Sequence, residues 1–260
     1  MSLLTDPQKE EERIIEFIRQ ILRKTDLAGI VVALSGGVDS ATVLTLVVRA
    51  IGRERTHVLL LPCGNLNDNG MKRAKNFVTY LGLPDENIQL RDISPVVTAA
   101  SRVVGLEEDG VRKGNIMARS RMIVLYDYAR KHTLLVSGTE NRSEFYLGYF
   151  TRFGDEASDF EPIRHLYKTQ VYQLAKHLEI PRGIINAKPT ANLWKDQTDE
   201  EEFGFSYKDA DLVLEQYFDE LRSVDAIEKE FSHAGKIIEY VKKNHFKHEV
   251  PYLPDFTIDE

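Results

Sequence analysis

The stretch Ile30-Val31-Val32-Ala33-Leu34-Ser35-Gly36-Gly37-Val38-Asp39-Ser40 decides the fold. Its short, continuous apolar run describes a strand buried on both faces, as in a parallel sheet. Glycines end the strand, and the residues from Ala41 to Ala50 read as a helix closed by Gly52. A strand that turns through glycines into a helix offers backbone N–H groups and the positive end of the helix dipole to an anion. Gly36 and Gly37 permit the close approach, Ser35 and Ser40 add hydroxyls, and Asp39 offers oxygen to a cation such as Mg²⁺. A glycine turn capped by Ser or Asp gives part of this pattern without any ligand. Paired glycines between two serines and an aspartate, directly after a buried strand, favour a phosphate site. The stretch lacks the Gly-Lys-Ser/Thr ending of a Walker loop and the GxGxxG of a dinucleotide fingerprint.

The same strand-to-helix rhythm continues on both sides. Residues from about Glu10 to Lys24 place Ile14, Phe17, Ile18, Ile21 and Leu22 at helical spacing. Strand His57–Leu61 precedes a helix from about Asn69 to Leu81, ended by Gly82, and a strand lies near Ile88–Leu90. A long helix from about Asn115 to His132 leads into strand Leu134–Gly138. This alternation predicts an α/β fold, a doubly wound parallel sheet flanked by helices, with ligands beyond the C-terminal strand ends. A helix follows from Thr169 to Leu178, broken by Pro181. The polar loop from Ala187 to Glu202 holds the single tryptophan, Trp194, and reads as a functional segment that orders on substrate. Two helices, about Ser206 to Arg222 and Asp225 to Asn244, complete the pattern. With no repeat, low-complexity tract or linker, residues 1–260 read as one domain.

Composition narrows the partners. A formal charge of −7 offers no general attraction to nucleic acid or to anionic membranes, so a polyanionic substrate must be met by locally placed Arg and Lys. The lone Cys63 excludes an internal disulfide and Cys-rich metal sites, and reads as a small core residue. The N-terminus has no apolar signal segment and no run is long enough to span a bilayer, which is the pattern of a cytoplasmic enzyme.

The loop Ser35–Ser40 resembles the PP-loop of the N-type ATP pyrophosphatases, enzymes of adenine nucleotide alpha-hydrolase-like fold that split ATP between its α- and β-phosphates. The loop alone does not choose among their reactions. Lys113-Gly114-Asn115, with Ala118-Arg119-Ser120-Arg121-Met122, is similar to a segment of the NAD synthetases. So are Ser137-Gly138-Thr139-Glu140-Asn141-Arg142-Ser143-Glu144, Phe150 to Asp155, Asp159, Lys168-Thr169 and Lys188 to Leu193, all in the family's order. The resemblance runs from Gly36 to Pro251. It implies a ligase that adenylates the nicotinate carboxylate of deamido-NAD with ATP, releasing pyrophosphate, and amidates it with ammonia to give NAD and AMP.

By the same resemblance Asp39 and Glu144 are metal ligands, for Mg²⁺, although a glutamate at a helix start also serves the helix dipole. Ser35, Gly36, Gly37, Val38, Asp39 and Ser40 hold the pyrophosphate end of ATP, with Thr139, Lys168 and Thr190 in contact with the nucleotide. Lys168, with Asp39 and Glu144, is catalytic and stabilises the transferred phosphate charge. Deamido-NAD meets Arg119, Arg152, Asp155 and Asp159, the two acids on sugar hydroxyls or the nicotinate end. Arg119 and Arg121 lie two apart on a helix and face different directions, so one of them, Arg119 by match, reaches the ligand. Arg152 stands where members often carry Lys, and its planar fork suits a different anion geometry. Lys247 and Pro251 are what remains of a C-terminal substrate-binding run. No glutaminase domain accompanies the synthetase region, so ammonia is expected free or from another chain. A homodimer with sites near the shared interface is implied. Two competing readings are another PP-loop enzyme acting on tRNA, opposed by the acidic balance, and a nucleotide sensor, opposed by the joint presence of Asp39, Glu144 and Lys168.

Overall fold

The computed structural model describes residue 3 and residues 5–194, 197–248 and 251. Lys195 and Asp196 of the polar loop, Glu249 and Val250 of the C-terminal run, and the residues after 251 lie outside it. Four parallel strands form the sheet: β1 (Gly29–Ala33), β2 (Thr56–Leu60), β3 (Ile88–Leu90) and β4 (Leu134–Ser137). Their order is β3-β2-β1-β4, with Val32 opposite Val58 on one side and Ser137 on the other. The chain builds from β1 to β3 in one direction, then crosses back to place β4 on the far side of β1. The strand order therefore reverses between β1 and β4, where open α/β sheets form their ligand crevice.

Both faces of the sheet are dry. Ile30 and Val32 of β1, Val58 and Leu60 of β2 and Leu135 of β4 point into one core, which α1 (Pro7–Thr25), α2 (Val38–Ile51) and α3 (Asp68–Leu81) cover together with α7 (Lys168–His177). The intervening Val31, Leu59, Leu134 and Val136 point into a second core under α4 (Ser94–Val103) and α5 (Gly110–His132). Period-two side chains on both faces explain why these strands read as continuous apolar runs. Gly82 closes α3 in the left-handed region at φ +64°, as its place after an apolar run predicts.

A third core lies beyond the sheet. Leu147 of α6 (Arg142–Leu147) and Tyr167 pack against α9 (Asp199–Phe203), α10 (Tyr207–Leu214) and α12 (Ala234–Asn244). Short α8 (Arg182–Ile185) follows Pro181, and α11 (Val224–Glu228) precedes α12.

Three sequence readings change here. α4 is an unforeseen helix, because Val97 alone of its residues is buried and it presents no apolar stripe. The helix read from Ser206 to Arg222 becomes α10 followed by a π-turn at Glu215–Asp219. The helix read from Asp225 to Asn244 breaks between α11 and α12. There Gly235 sits so close to Glu228 that a Cβ would lie 2.2 Å from its Oε1. Among the described residues, no helix is long and apolar enough to cross a membrane.

Candidate active site

The loop after β1 holds its own shape. Ser40 Oγ donates to the Gly37 carbonyl at 3.2 Å and accepts from the Ser35 amide at 3.3 Å, while Gly37 N–H donates to Ser35 Oγ at 3.3 Å. Gly36 takes φ +83°, and a Cβ there would lie 2.1 Å from the Gly70 carbonyl oxygen of α3. Only glycine fits a left-handed backbone pressed against another main chain. α3 braces the loop from that side: Asn67 Nδ2 donates to Ser35 O at 3.2 Å and Arg73 Nε donates to Gly36 O at 3.0 Å. The loop thus opens at the N-terminus of α2 with its backbone fixed, ready for an anion.

Facing the loop, two more helix starts bring the acids and the lysine together. Asn141 caps α6 by accepting from Glu144 N at 3.0 Å, and Glu144 Oε2 accepts from Asn141 N at 3.4 Å. This reciprocal capping box fixes Glu144. Lys168 opens α7, where its own amide donates to Ser143 Oγ at 2.8 Å and the next amide donates to Asp211 Oδ2 at 2.8 Å. Lys168 Nζ then donates to Asp39 Oδ2 at 2.6 Å and to Glu144 Oε1 at 3.1 Å, and Asn141 Nδ2 donates to Asp39 Oδ1 at 3.0 Å. Residue 39, the 141–144 capping box and residue 168, from three segments distant in sequence, share one network.

Burial sets the charges. Lys168 is 2% exposed, and burial works against its ammonium, yet the Asp39 and Glu144 carboxylates hold it well above its ordinary value. Burial raises Glu144, with Asp39 and Asp199 adding to the effect and Lys168 opposing it. Lys168 is therefore held as an ammonium between the two acids, while burial favours the neutral form of Glu144.

A cavity of about 270 Å³ joins these parts. Ser35, Gly37, Val38, Asp39 and Ser40 line it, with Thr139, Glu144, Lys168, Thr190 and Asp155. The polar loop forms one wall. Its Leu193 lies against Gly114 of α5 and its Trp194 against Gly110, so the described part of the loop is docked. Buried Asp199 ties this wall down: it accepts from Ala191 N at 3.1 Å, from Tyr149 OH at 3.2 Å and from Tyr207 OH at 3.1 Å. Sequence reading placed Asn141 and Asp199 within motifs of the family's order without giving either a role, and assigned nothing to Arg73. For Asp199 a signal existed in Thr198-Asp199-Glu200-Glu201, an N-cap residue followed by an acidic first turn.

The remaining residues assigned to the dinucleotide lie apart from the cavity. Arg119 is exposed on α5, its Nε donating to Arg152 O at 3.2 Å, and Arg121 is the helix arginine that lines the cavity. Arg152 stacks over Phe246, with 5.2 Å from guanidinium carbon to ring centroid. Asp159 serves β4, where its Oδ2 accepts from Val136 N at 2.7 Å. Lys247 Nζ donates to Gly148 O at 2.6 Å and to Phe150 O at 3.0 Å.

Residues 10–251 match the NAD synthase family. The chain belongs to that family. It is similar to the NH(3)-dependent NAD(+) synthetase of Thermococcus kodakarensis, 40% identical over 94% of this chain and 96% of that one. Among solved structures, an NMN synthetase from Francisella tularensis superposes with a TM-score of 0.84 at 32% identity, covering 97% of this chain and 100% of that chain. An NH3-dependent NAD synthetase from Campylobacter jejuni does so with 0.79 at 32% identity and the same coverage. The resemblance read from the ordered motifs is borne out, and so is the α/β fold with its parallel sheet.

Proposed function

We propose that this member of the NAD synthase family makes NAD from deamido-NAD, ATP and ammonia. The observation that carries the reading is the meeting of the glycine loop with Asp39, Glu144 and Lys168 in one cavity at the switch point of the sheet. The nicotinate carboxylate attacks the α-phosphorus of ATP, and the bond to pyrophosphate breaks. Ammonia then attacks the acyl carbon, AMP leaves with its electron pair, and the ammonium nitrogen loses a proton. The loop amides and the α2 N-terminus receive the pyrophosphate end. Lys168, already fixed and charged, stabilises the charge that develops in transfer without having to reorganise. Thr139 and Thr190 face the nucleotide across the cavity.

Asp39 and Glu144 form an oxygen donor set that fits Mg²⁺. Two carboxylates facing the phosphate loop suit an ion that takes its other ligands from phosphates and water. Mg²⁺ bound there would neutralise phosphate charge.

The reading includes a homodimer. Arg119 shares a face of α5 with Ile123, four residues on, and Val103 and Val104 at the C-terminal end of α4 add apolar surface. A second copy against this face would bring Arg119 and Arg152 to a shared site, together with Asp159 and Lys247 on the same substrate. Residues 1–260 act as one synthetase domain in this reading, located in the cytoplasm and using free ammonia or ammonia from another chain.

Incubation with deamido-NAD, ATP, Mg²⁺ and ammonium tests it. NAD with stoichiometric AMP is the expected outcome, and release of ADP or no product refutes it. The likeness to an NMN synthetase favours a second reading, with a mononucleotide as acceptor. Comparing kcat/KM for nicotinate mononucleotide and deamido-NAD in the same assay decides between them.

A further inference from the structure

We infer that Arg73 is a second phosphate-binding cation of this site, gripping the pyrophosphate end of ATP and the pyrophosphate that leaves. The inference rests on the ATP reading above and deepens it. Most of the loop's polar side chains are already engaged. The Ser35 and Ser40 hydroxyls bond to the loop itself, and Lys168 is shared between two carboxylates. An incoming pyrophosphate needs a cation that no acid has neutralised.

Arg73 fits that need. It projects from α3 into the cavity wall, half-buried, and of the arginines and lysines lining the cavity it is the one hydrogen bonded to the loop's main chain. Among the described residues no carboxylate lies within ion-pair distance of it, whereas Arg49, Arg142 and Arg164 are each paired with an acid. Burial alone pulls its guanidinium down, with no acid acting against it. An arginine nonetheless stays charged, so the cost of desolvation remains until an anion arrives. Its Nε is committed to Gly36 O, which leaves Nη1 and Nη2 to form the paired donors that suit a phosphate.

The bond to Gly36 has a second effect. The carbonyl it holds and the Gly37 N–H belong to one peptide unit. A cation on the oxygen polarises that unit and strengthens the N–H as a donor. The close contact between Gly36 and Gly70 fixes α3 against the loop, so the guanidinium is held in register with it.

Pyrophosphate binding measured by calorimetry, with product inhibition by pyrophosphate and by AMP, tests the inference. Arg73→Ala should weaken pyrophosphate binding and raise the KM for ATP on the order of ten- to a hundredfold, with AMP inhibition close to that of wild type. Arg73→Gln keeps a donor for Gly36 O but no charge, and should lose as much as Arg73→Ala. Wild-type pyrophosphate affinity in Arg73→Gln would reduce Arg73 to a brace of the loop and overturn the inference; unchanged affinity in Arg73→Ala would do the same. A wild-type protein that binds pyrophosphate through Arg73 but forms no AMP would instead refute the ATP reading and leave this one standing.

Discussion

Replacing Lys168 with methionine keeps the length and the apolar stem of the side chain and removes its charge. Asp39 and Glu144, with side chains 16% and 18% exposed, would then face each other without a cation. In the folded variant one carboxyl must take up a proton or remain an unpaired buried charge. For a carboxyl with an unfolded value near 4, protonation costs up to about 4 kcal/mol at pH 7 and about 1.5 kcal/mol at pH 5. The upper figure agrees with the ~3–5 kcal/mol found when one partner of a buried pair is removed. The pH dependence has a definite sign. Lys168 lies well above 10.5 in the folded protein, so its contribution is complete below that value and constant from pH 5 to pH 7. In the variant a carboxyl is held neutral, its folded value raised, so stability is present on the acid side and lost as pH rises. Glu144 is already raised in the wild type and its pH dependence is common to both proteins, so the difference widens from pH 5 to pH 7 through the second carboxyl that loses its cation, by up to ~2.7 kcal/mol. Urea unfolding at the two pH values measures it, and an equal loss at both would refute the argument. Turnover should fall by about 10²–10³ as a preorganised charge is lost. Asp39→Asn in the same chain should recover most of the stability and none of the activity. Recovery of activity would show that the lysine serves only to neutralise the acid.

Gly114→Val should undock the polar loop, because even a Cβ at that position would lie 2.8 Å from Leu193 Cδ1. Limited proteolysis should then cut between residues 187 and 202 faster than in wild type with the melting temperature little changed, and an unaltered rate would rule out the contact as a latch. Glu140 is buried and pushed up to about 8, burial outweighing its ion pair with Arg164. Its neutral form is the stabilising one, so stability drawn from it is present at acid pH and lost as pH rises through 8. Glu140→Gln should accordingly gain on wild type in thermal stability between pH 6 and pH 9, and a constant difference would show that Glu140 is ionised throughout.

What could be read from the sequence followed from how locally each feature is determined. β1, α2 and the loop between them are set by neighbours within eleven residues, and strand, glycines and helix end fell where the apolar run and Gly52 placed them, although α2 starts at Val38, three residues before the predicted Ala41. The helix stop at Gly82 and the strand at Ile88–Leu90 were legible for the same reason. The acids and the lysine were found by motif, but their geometry was not, because Asp39 and Lys168 meet only after α2 and α7 pack together over the first core. Arg119 and Arg121 show the limit on a single helix. Two residues apart, they must diverge, yet only the packing of α5 on the sheet decides that Arg121 faces the cavity.

Arg73 and Asp199 show a different limit. Arg73 sits in a stretch, Met71-Lys72-Arg73-Ala74-Lys75, that reads as an ordinary solvated helix. Nothing in that stretch says that the loop after β1 lies against it. Asp199 was hidden within a polar loop, and its three donors come from positions 149, 191 and 207. Arg73 acts through a main-chain carbonyl of a segment distant in sequence, and a backbone carbonyl leaves no mark on residue type; Asp199 acts through one amide and two tyrosine hydroxyls that only the fold brings together. The glycines of the loop, by contrast, are dictated by conformation at their own positions. The motif was therefore recognisable while the groups that make it rigid and charged were not. The second set depends on α3 and α9 being packed where the fold puts them, which is why the phosphate chemistry is better judged from Arg73 and Lys168 together than from the loop alone.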